Sequence, residues 1–215
     1  MKNFIYITFI ALLFTACKTE KKNTVETKPL TIAEKIANAH GFENWKNVSE
    51  VQFTFAGNRS WTWKPKSNDI TLTTSKDTLS YSRTTMDSLA LKIDPSFTND
   101  KFWLLIPFQL VWDEGMTISE SSKTLAPISN IEMNKITLTY SNEGGYTPGD
   151  AYDLFYTDDF LIKEWVFRKG NAEAPSLTNT FENIQDFNGI KIALDHKKGE
   201  GDWNLSFTNV KVILD

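Results

Sequence analysis

The sequence predicts a mainly β domain of the α+β class: a single antiparallel half-open β-barrel with an N-terminal helix and a central short apolar helix or lid. Three observations carry that expectation. Apolar residues near position 32 recur at helical spacing, and after Asn47 the period drops to strict apolar–polar alternation, the signature of half-buried strands. Turn residues punctuate the alternating runs at short intervals. Midway, the near-continuous apolar segment Phe102 to Trp112 breaks the alternation.

Composition sets the limits. The 215 residues are 40% hydrophobic and 23% charged, enough to bury a core. One Cys excludes an intramolecular disulfide and a Cys-based metal site, and two His make a His-rich metal centre a poor fit. A net charge of −4 gives no reason to expect nucleic acid, whose binding rests on clustered Lys and Arg.

Residues 1–16 read as a lipoprotein signal peptide. Lys2 supplies a positive start, and the apolar run Phe4 to Phe14 follows. It is shorter than the ~20 residues of a membrane-spanning helix and fits the apolar region of a signal peptide. The chain's only cysteine comes next, in Leu13-Phe14-Thr15-Ala16-Cys17. This resembles the bacterial lipobox, which implies that Cys17 is acylated, that cleavage occurs before it, and that it anchors the chain in a membrane. An ordinary signal peptide, or an uncleaved anchor, with an incidental Cys is the alternative. Residues 17–29 are almost wholly polar and read as a flexible tether, because so little apolar surface does not offset the entropy of ordering.

The folded domain, residues 30–215, opens with a capping box, Thr31 and Glu34, ahead of the stripe Ile32, Ala33, Ile36 and Ala37. Gly41 stops that helix, with His40 placed in its last turn where a partial positive charge suits the dipole. Four alternating runs follow, centred on Phe53, Trp61 with Trp63, Ile70 with Leu72, and Leu79 with Tyr81. In the second half, candidate strands are 135–140, 151–156, 161–168, 177–186, 190–195 and 203–214, so about ten strands are expected. Between the two sets, Asn99 or Asp100 is placed to cap a short helix that Pro107 ends or kinks. That segment is either buried across the sheet or a lid over a cavity.

The pattern as a whole resembles the LolA/LolB class of half-barrels, carriers and acceptors of lipoproteins in Gram-negative envelopes. More closely it resembles an uncharacterised Bacteroidota lipoprotein family with that fold. The residues that carry the likeness are Ala39-His40-Gly41-Phe42-Glu43-Asn44-Trp45, Phe102-Trp103-Leu104-Leu105-Ile106-Pro107-Phe108, and Gly144-Gly145-Tyr146-Thr147-Pro148-Gly149-Asp150-Ala151-Tyr152. The resemblance implies an apolar concavity, closed by helices, that shelters acyl chains.

Chemistry-bearing motifs are sparse. Only His40 and His196 offer an ordinary base, and His196, before Lys197-Lys198-Gly199, reads as an exposed residue near a turn. The Gly-rich phosphate patterns and Gly-x-Ser-x-Gly are missing. Asp150, Asp153, Asp158 and Asp159 are close in sequence, but Asp158-Asp159 falls in a turn and the spacing lacks the form of a calcium loop. Gly144 to Asp150 forms either a backbone anion nest or a long hairpin loop.

The seven Trp leave three readings open: core packing, the lining of an apolar cavity, or an exposed platform for sugar rings. The sequence thus points to an exported, non-enzymatic protein of the cell envelope, most simply the outer membrane, with no metal or cofactor. Its candidate ligand or lid residues are Phe102, Trp103, Leu105, Ile106, Phe108, Trp112, Trp61 and Trp63. The expected ligand is an acyl chain, lipid or lipoprotein; the alternative is an envelope glycan- or protein-binding module that uses exposed Trp.

Overall fold

The computed structural model describes residues 28–215, so the signal segment and Cys17 lie outside the described residues. Helix α1 runs Ile32–Ala39 with the Thr31–Glu34 capping box in place. A 3₁₀ turn, Phe42–Asn47, leads into β1, Val48–Phe55. Then come β2 (Arg59–Lys64), β3 (Asp69–Thr73) and β4 (Thr78–Ser82). Helix α2, Ser88–Trp112, is followed by β5 (Met116–Ile118), β6 (Ser122–Leu125), β7 (Glu132–Tyr140), β8 (Ala151–Tyr156) and β9 (Ile162–Arg168). The chain ends in β10 (Leu177–Thr180), β11 (Glu182–Phe187), β12 (Ile190–Lys197) and β13 (Asn204–Leu214).

Two antiparallel sheets result. The larger has the order β11-β12-β13-β1-β2-β3-β4; the smaller has β10-β9-β8-β7-β5, with β6 also paired to β7. They do not close into a barrel. The mainly β class, the antiparallel pairing and both helices are as the alternation predicts. Among the described residues thirteen strands replace the ten or so expected. The short β5 and β6 carry too few apolar residues to register as periodic. The expected strand 177–186 is two strands, and the break at Phe181 sends β10 to the small sheet and β11 to the large one.

The central helix departs further from expectation. It is 25 residues long, not a short segment from 102, and Asp87 caps it rather than Asn99 or Asp100: its Oδ1 accepts from the Leu89 and Ala90 amides at 3.0 and 2.8 Å. Both Pro95 and Pro107 lie inside it. Pro107 has no N–H to offer the preceding turn and crowds it, and the backbone leaves helical geometry at Leu105. The bend follows from that missing bond.

α2 lies between the two sheets and fills the space they enclose. Phe97, Leu104, Leu105 and Phe108 pack on the large sheet with Phe53, Trp61, Trp63 and Ile70. Phe102, Ile106 and Leu110 pack on the small sheet with Ile136, Leu138, Leu154 and Trp165. The large sheet's inner face is a cross-strand ladder, Val51↔Trp63↔Ile70 and Phe53↔Trp61↔Leu72. Such pairs on one face are the unit of sheet stability.

The sheets are joined at a seam by the protein's two histidines. His40 caps α1, and its Nε2 accepts from the Ile162 amide of β9 at 3.2 Å, while Nδ1 faces the Lys191 carbonyl of β12 at 3.3 Å. His196, on β12, faces the Thr180 carbonyl of β10 through Nδ1 at 3.1 Å. Both imidazoles are buried. Burial pushes each down to about 4, so both are neutral at pH 7. His196 is therefore not exposed, because Phe181, Trp103 and Phe207 box it in with ring centroids 4.6, 5.5 and 5.7 Å away. Nor does His40 carry the positive charge that its place at a helix end predicts. Gly41 must be glycine: its φ is +94°, and a Cβ there would lie 1.8 Å from the Gly189 carbonyl oxygen.

Candidate functional site

The eight candidate residues divide by their packing. Trp61, Trp63, Phe102, Leu105, Ile106 and Phe108 are buried in the core. Trp103 and Trp112 are only partly buried. The segment 102–112 is thus the buried element of the two alternatives, and the six buried side chains are closed off by their own neighbours.

On the large-sheet side aromatic rings pack over the helix. Trp45 from the 3₁₀ turn reaches Trp63, Phe108 and Trp112 at 5.4, 5.5 and 4.9 Å between ring centroids. Lys101 lies across this cluster with Nζ 5.6 Å from the centroids of both Trp63 and Trp112, within cation–π range. Burial, reinforced by the Arg83 charge, pushes its amine down to about 8.

On the small-sheet side the packing leaves a cleft of about 240 Å³. Asn99 and Trp103, one helical turn apart on α2, form one wall. Trp165 and Phe167 on β9, with Tyr152 on β8, form the floor. Their register, Tyr152↔Phe167 and Leu154↔Trp165, puts these rings on the inner face. The third wall is the loop between β7 and β8, through Tyr146 and Thr147.

That loop is held from several sides. Tyr146 stacks on Phe102 at 3.8 Å with the rings 5° from parallel. Its hydroxyl donates to Asn99 Oδ1 at 3.1 Å, and its amide donates to Asp113 Oδ2 at 3.1 Å. Gly115 lets the loop approach the end of α2, since a Cβ there would sit 2.4 Å from Gly145 Cα. The Gly149 amide bonds to the Ser141 carbonyl and that of Asp150 to the Thr147 carbonyl. The amides of Tyr146, Gly149 and Asp150 are thus engaged inside the protein.

Behind Asn99 runs a polar chain that fixes the wall. Asn99 Nδ2 donates to Asp100 Oδ1 at 3.0 Å. Asp100, wholly buried, accepts from Arg59 Nε and Nη2 at 2.7 Å each and from Trp61 Nε1 at 2.8 Å. A buried carboxylate is tolerated only when so paired. On the far side of Tyr146 a second opening of about 370 Å³ lies over Asp94, Pro95 and Thr98. Asn99, Tyr146 and Thr147 border both openings, so the Tyr146 ring is the partition between them.

Chemically, the cleft offers ring faces and neutral polar groups. Burial raises the Tyr146 and Tyr152 hydroxyls well above the ordinary phenol range, so both stay protonated donors at physiological pH. Trp165 Nε1 is engaged by Asn179 Oδ1. The remaining acids sit elsewhere: Asp153 pairs with Arg168 at 3.0 Å, Asp158 faces Lys123 at 3.6 Å, and Asp150 accepts from Thr147 and from the Gly170 amide. Of the eight candidate residues only Trp103 lines the cleft, and a reading of the sequence misses Tyr152, Trp165 and Phe167. Their only signal was aromatic density on two strands that the register brings side by side. Among the described residues no helix is long and apolar enough to cross a membrane. Compared with family models, curated proteins and solved structures, the chain finds no match in any of the three.

Proposed function

We propose that this chain is a lipid-anchored cell-envelope protein, held in the outer membrane through acylated Cys17, whose half-open β domain binds a hydrophobic ligand without catalysing a reaction. The anchoring part rests on the run Phe4 to Cys17 and its likeness to a lipobox. The single observation that supports the binding part is the cleft beside Trp103. Its walls are aromatic, its mouth carries Asn99 and Thr147, and a hydrogen-bonded loop holds it open. At about 240 Å³ it is smaller than the ~300–1,000 Å³ of sites that enclose whole small molecules. It therefore takes one segment or ring of a larger molecule, such as the end of an acyl chain on a lipid or lipoprotein.

The concavity between the sheets is filled by α2, which supports a change in where the ligand sits relative to the LolA/LolB resemblance. The ligand lies at the edge of α2 rather than beneath it. A second reading, a glycan-binding module, is favoured by one feature: Asn99 and Thr147 could pair with the hydroxyls of a sugar ring stacked on Trp103.

One titration tests both. Intrinsic fluorescence is followed as a medium-chain fatty acid or an envelope-type oligosaccharide is added to residues 18–215. The first reading expects saturable binding of the fatty acid, weakened at least tenfold by Trp103→Ala. Saturation by the sugar alone transfers the assignment to the second. Separately, Cys17→Ser is expected to release the protein from membranes; retention of processed, membrane-bound protein would contradict the anchor.

A further inference from the structure

Two neighbouring hairpin tips, β6–β7 of the small sheet and β12–β13 of the large one, carry exposed apolar side chains. Leu125 and Ile131, at 62% and 59%, are the most exposed large hydrophobic residues of the described chain. They flank the tip between β6 and β7. Trp203, 38% exposed, sits in the tip between β12 and β13, with Lys198 Nζ 5.0 Å from its ring centroid. The two tips touch: a Cβ on Gly199 would lie 3.4 Å from Ile128 Cγ1.

The first tip is rigid. Buried Glu164 accepts from the Ile128 and Ser129 amides at 2.8 and 2.9 Å, and Ala126 is buried with Met133, Phe155 and Val166. Exposure of Leu125 and Ile131 is thus imposed by a fixed turn, not by fraying. Nearby the chain enters the domain. Lys35 of α1 lies 5.8 Å over the Phe160 ring in the turn from β8 to β9, and Thr31 and Ile32 share a groove with Ser119 to Ser121. Residues 28–30 therefore join the domain near the end of the small sheet that bears the first tip.

We infer that this end is a membrane-contact surface, with Leu125, Ile131 and Trp203 entering the interface of the membrane that holds Cys17. The inference rests on the lipid-anchor reading above. The chain toward Cys17 joins the domain at this end, so the tips lie beside the point from which an anchor would pull. Leu and Ile supply apolar area, and a Trp beside a Lys suits the boundary between headgroups and chains. Glu132, Glu200 and Asp202 flank the same residues, so the contact is apolar and needs no anionic lipid.

The test uses the mature chain, residues 17–215, on phosphatidylcholine vesicles that carry lipids brominated in their acyl chains. One sample is the acylated protein. The other is coupled to maleimide lipid through Cys17, the chain's only thiol, so the contact is tested even if natural acylation fails. The emission lost on Trp203→Phe isolates the signal of Trp203. The inference expects that share to fall at least twofold on brominated vesicles, and the double change Leu125→Asp with Ile131→Asp to abolish the fall while the protein still floats with the vesicles. An unquenched Trp203 share on vesicle-bound protein would overturn the contact and leave the anchor standing. Acylated protein that does not float would remove the anchor reading, and the maleimide sample alone would then decide the contact.

Discussion

The two sides of α2 begin from similar material and end differently. Toward the large sheet, Phe97, Leu104, Leu105 and Phe108 meet Trp61 and Trp63, and Trp45 and Trp112 complete a closed aromatic cluster. Toward the small sheet, Phe102, Ile106 and Leu110 are as well buried, but Trp103 is left partly open beside Tyr146. The partner decides the difference. Regular strands place a large apolar side chain at every second residue and fill the space. The loop from β7 to β8 turns through Gly144, Gly145 and Gly149, all at positive φ, and offers one ring where a strand would offer several. A cleft survives where a loop replaces a strand as the facing wall.

The largest expected effects are on the closed side. Phe108→Ala should destabilise the fold by about 3–5 kcal/mol, the usual range for a buried Phe, measured by equilibrium denaturation. Trp103→Ala, on the open side, should cost less than half of that. Equal losses would break the comparison. Asp100→Ala should cost about 3 kcal/mol, because Arg59 and the Trp61 indole lose their acceptor. Arg59 keeps part of its side chain in water, which holds the figure at the low end.

Acid should act on the seam rather than on either side of α2. His40 and His196 titrate near 4 in the fold against an ordinary value of 6.5. Above pH 6.5 both are neutral in folded and unfolded chains and contribute no pH dependence. As pH falls from 6.5 toward 4 the unfolded chain takes up protons that the folded chain does not, so stability falls. The loss approaches roughly 3 kcal/mol per histidine and levels off below pH 4. Protonated His40 also ceases to accept from the Ile162 amide. Denaturation curves between pH 7 and 4 check this, and His196→Phe should remove about half of the slope. A flat profile would mean that the seam histidines are not buried as described.

How far the sequence reached follows the same division between local and distant causes. The capping box at Thr31, the stop at Gly41 and the ladders of β1 to β4 depend on neighbours in sequence, and they were legible. The first half of α2 was not. Asp94, Thr98, Asn99 and Asp100 look like the polar flank of a helix. They are part of it because Arg83 and Tyr81 satisfy Asp94, while Arg59 and Trp61 satisfy Asp100. Those partners are ten or more residues away, outside any local pattern. His196 reads as exposed for the same reason, since the rings that bury it come from α2, β13 and the break between β10 and β11. Of the cleft, the α2 wall was legible as an apolar run, but the floor required the register of β8 and β9.

The smallest expected effect sharpens the comparison at the loop. Tyr146→Phe keeps the stack on Phe102 but removes the hydroxyl that donates to Asn99, at a cost of about 1 kcal/mol. Hydrogen exchange in residues 143–149 should rise in that variant and stay unchanged across β1 to β4. A rise spread over both sheets would mean that the loop is part of the core and not a separate wall.

On the proposed function, the open side of α2 holds an apolar ligand. Native mass spectrometry of residues 18–215, after incubation with envelope phospholipid, tests it most directly. One bound lipid is expected on the parent protein and none on Trp103→Ala at the same concentration. A parent that stays free of lipid, or equal occupancy in the two proteins, would contradict it.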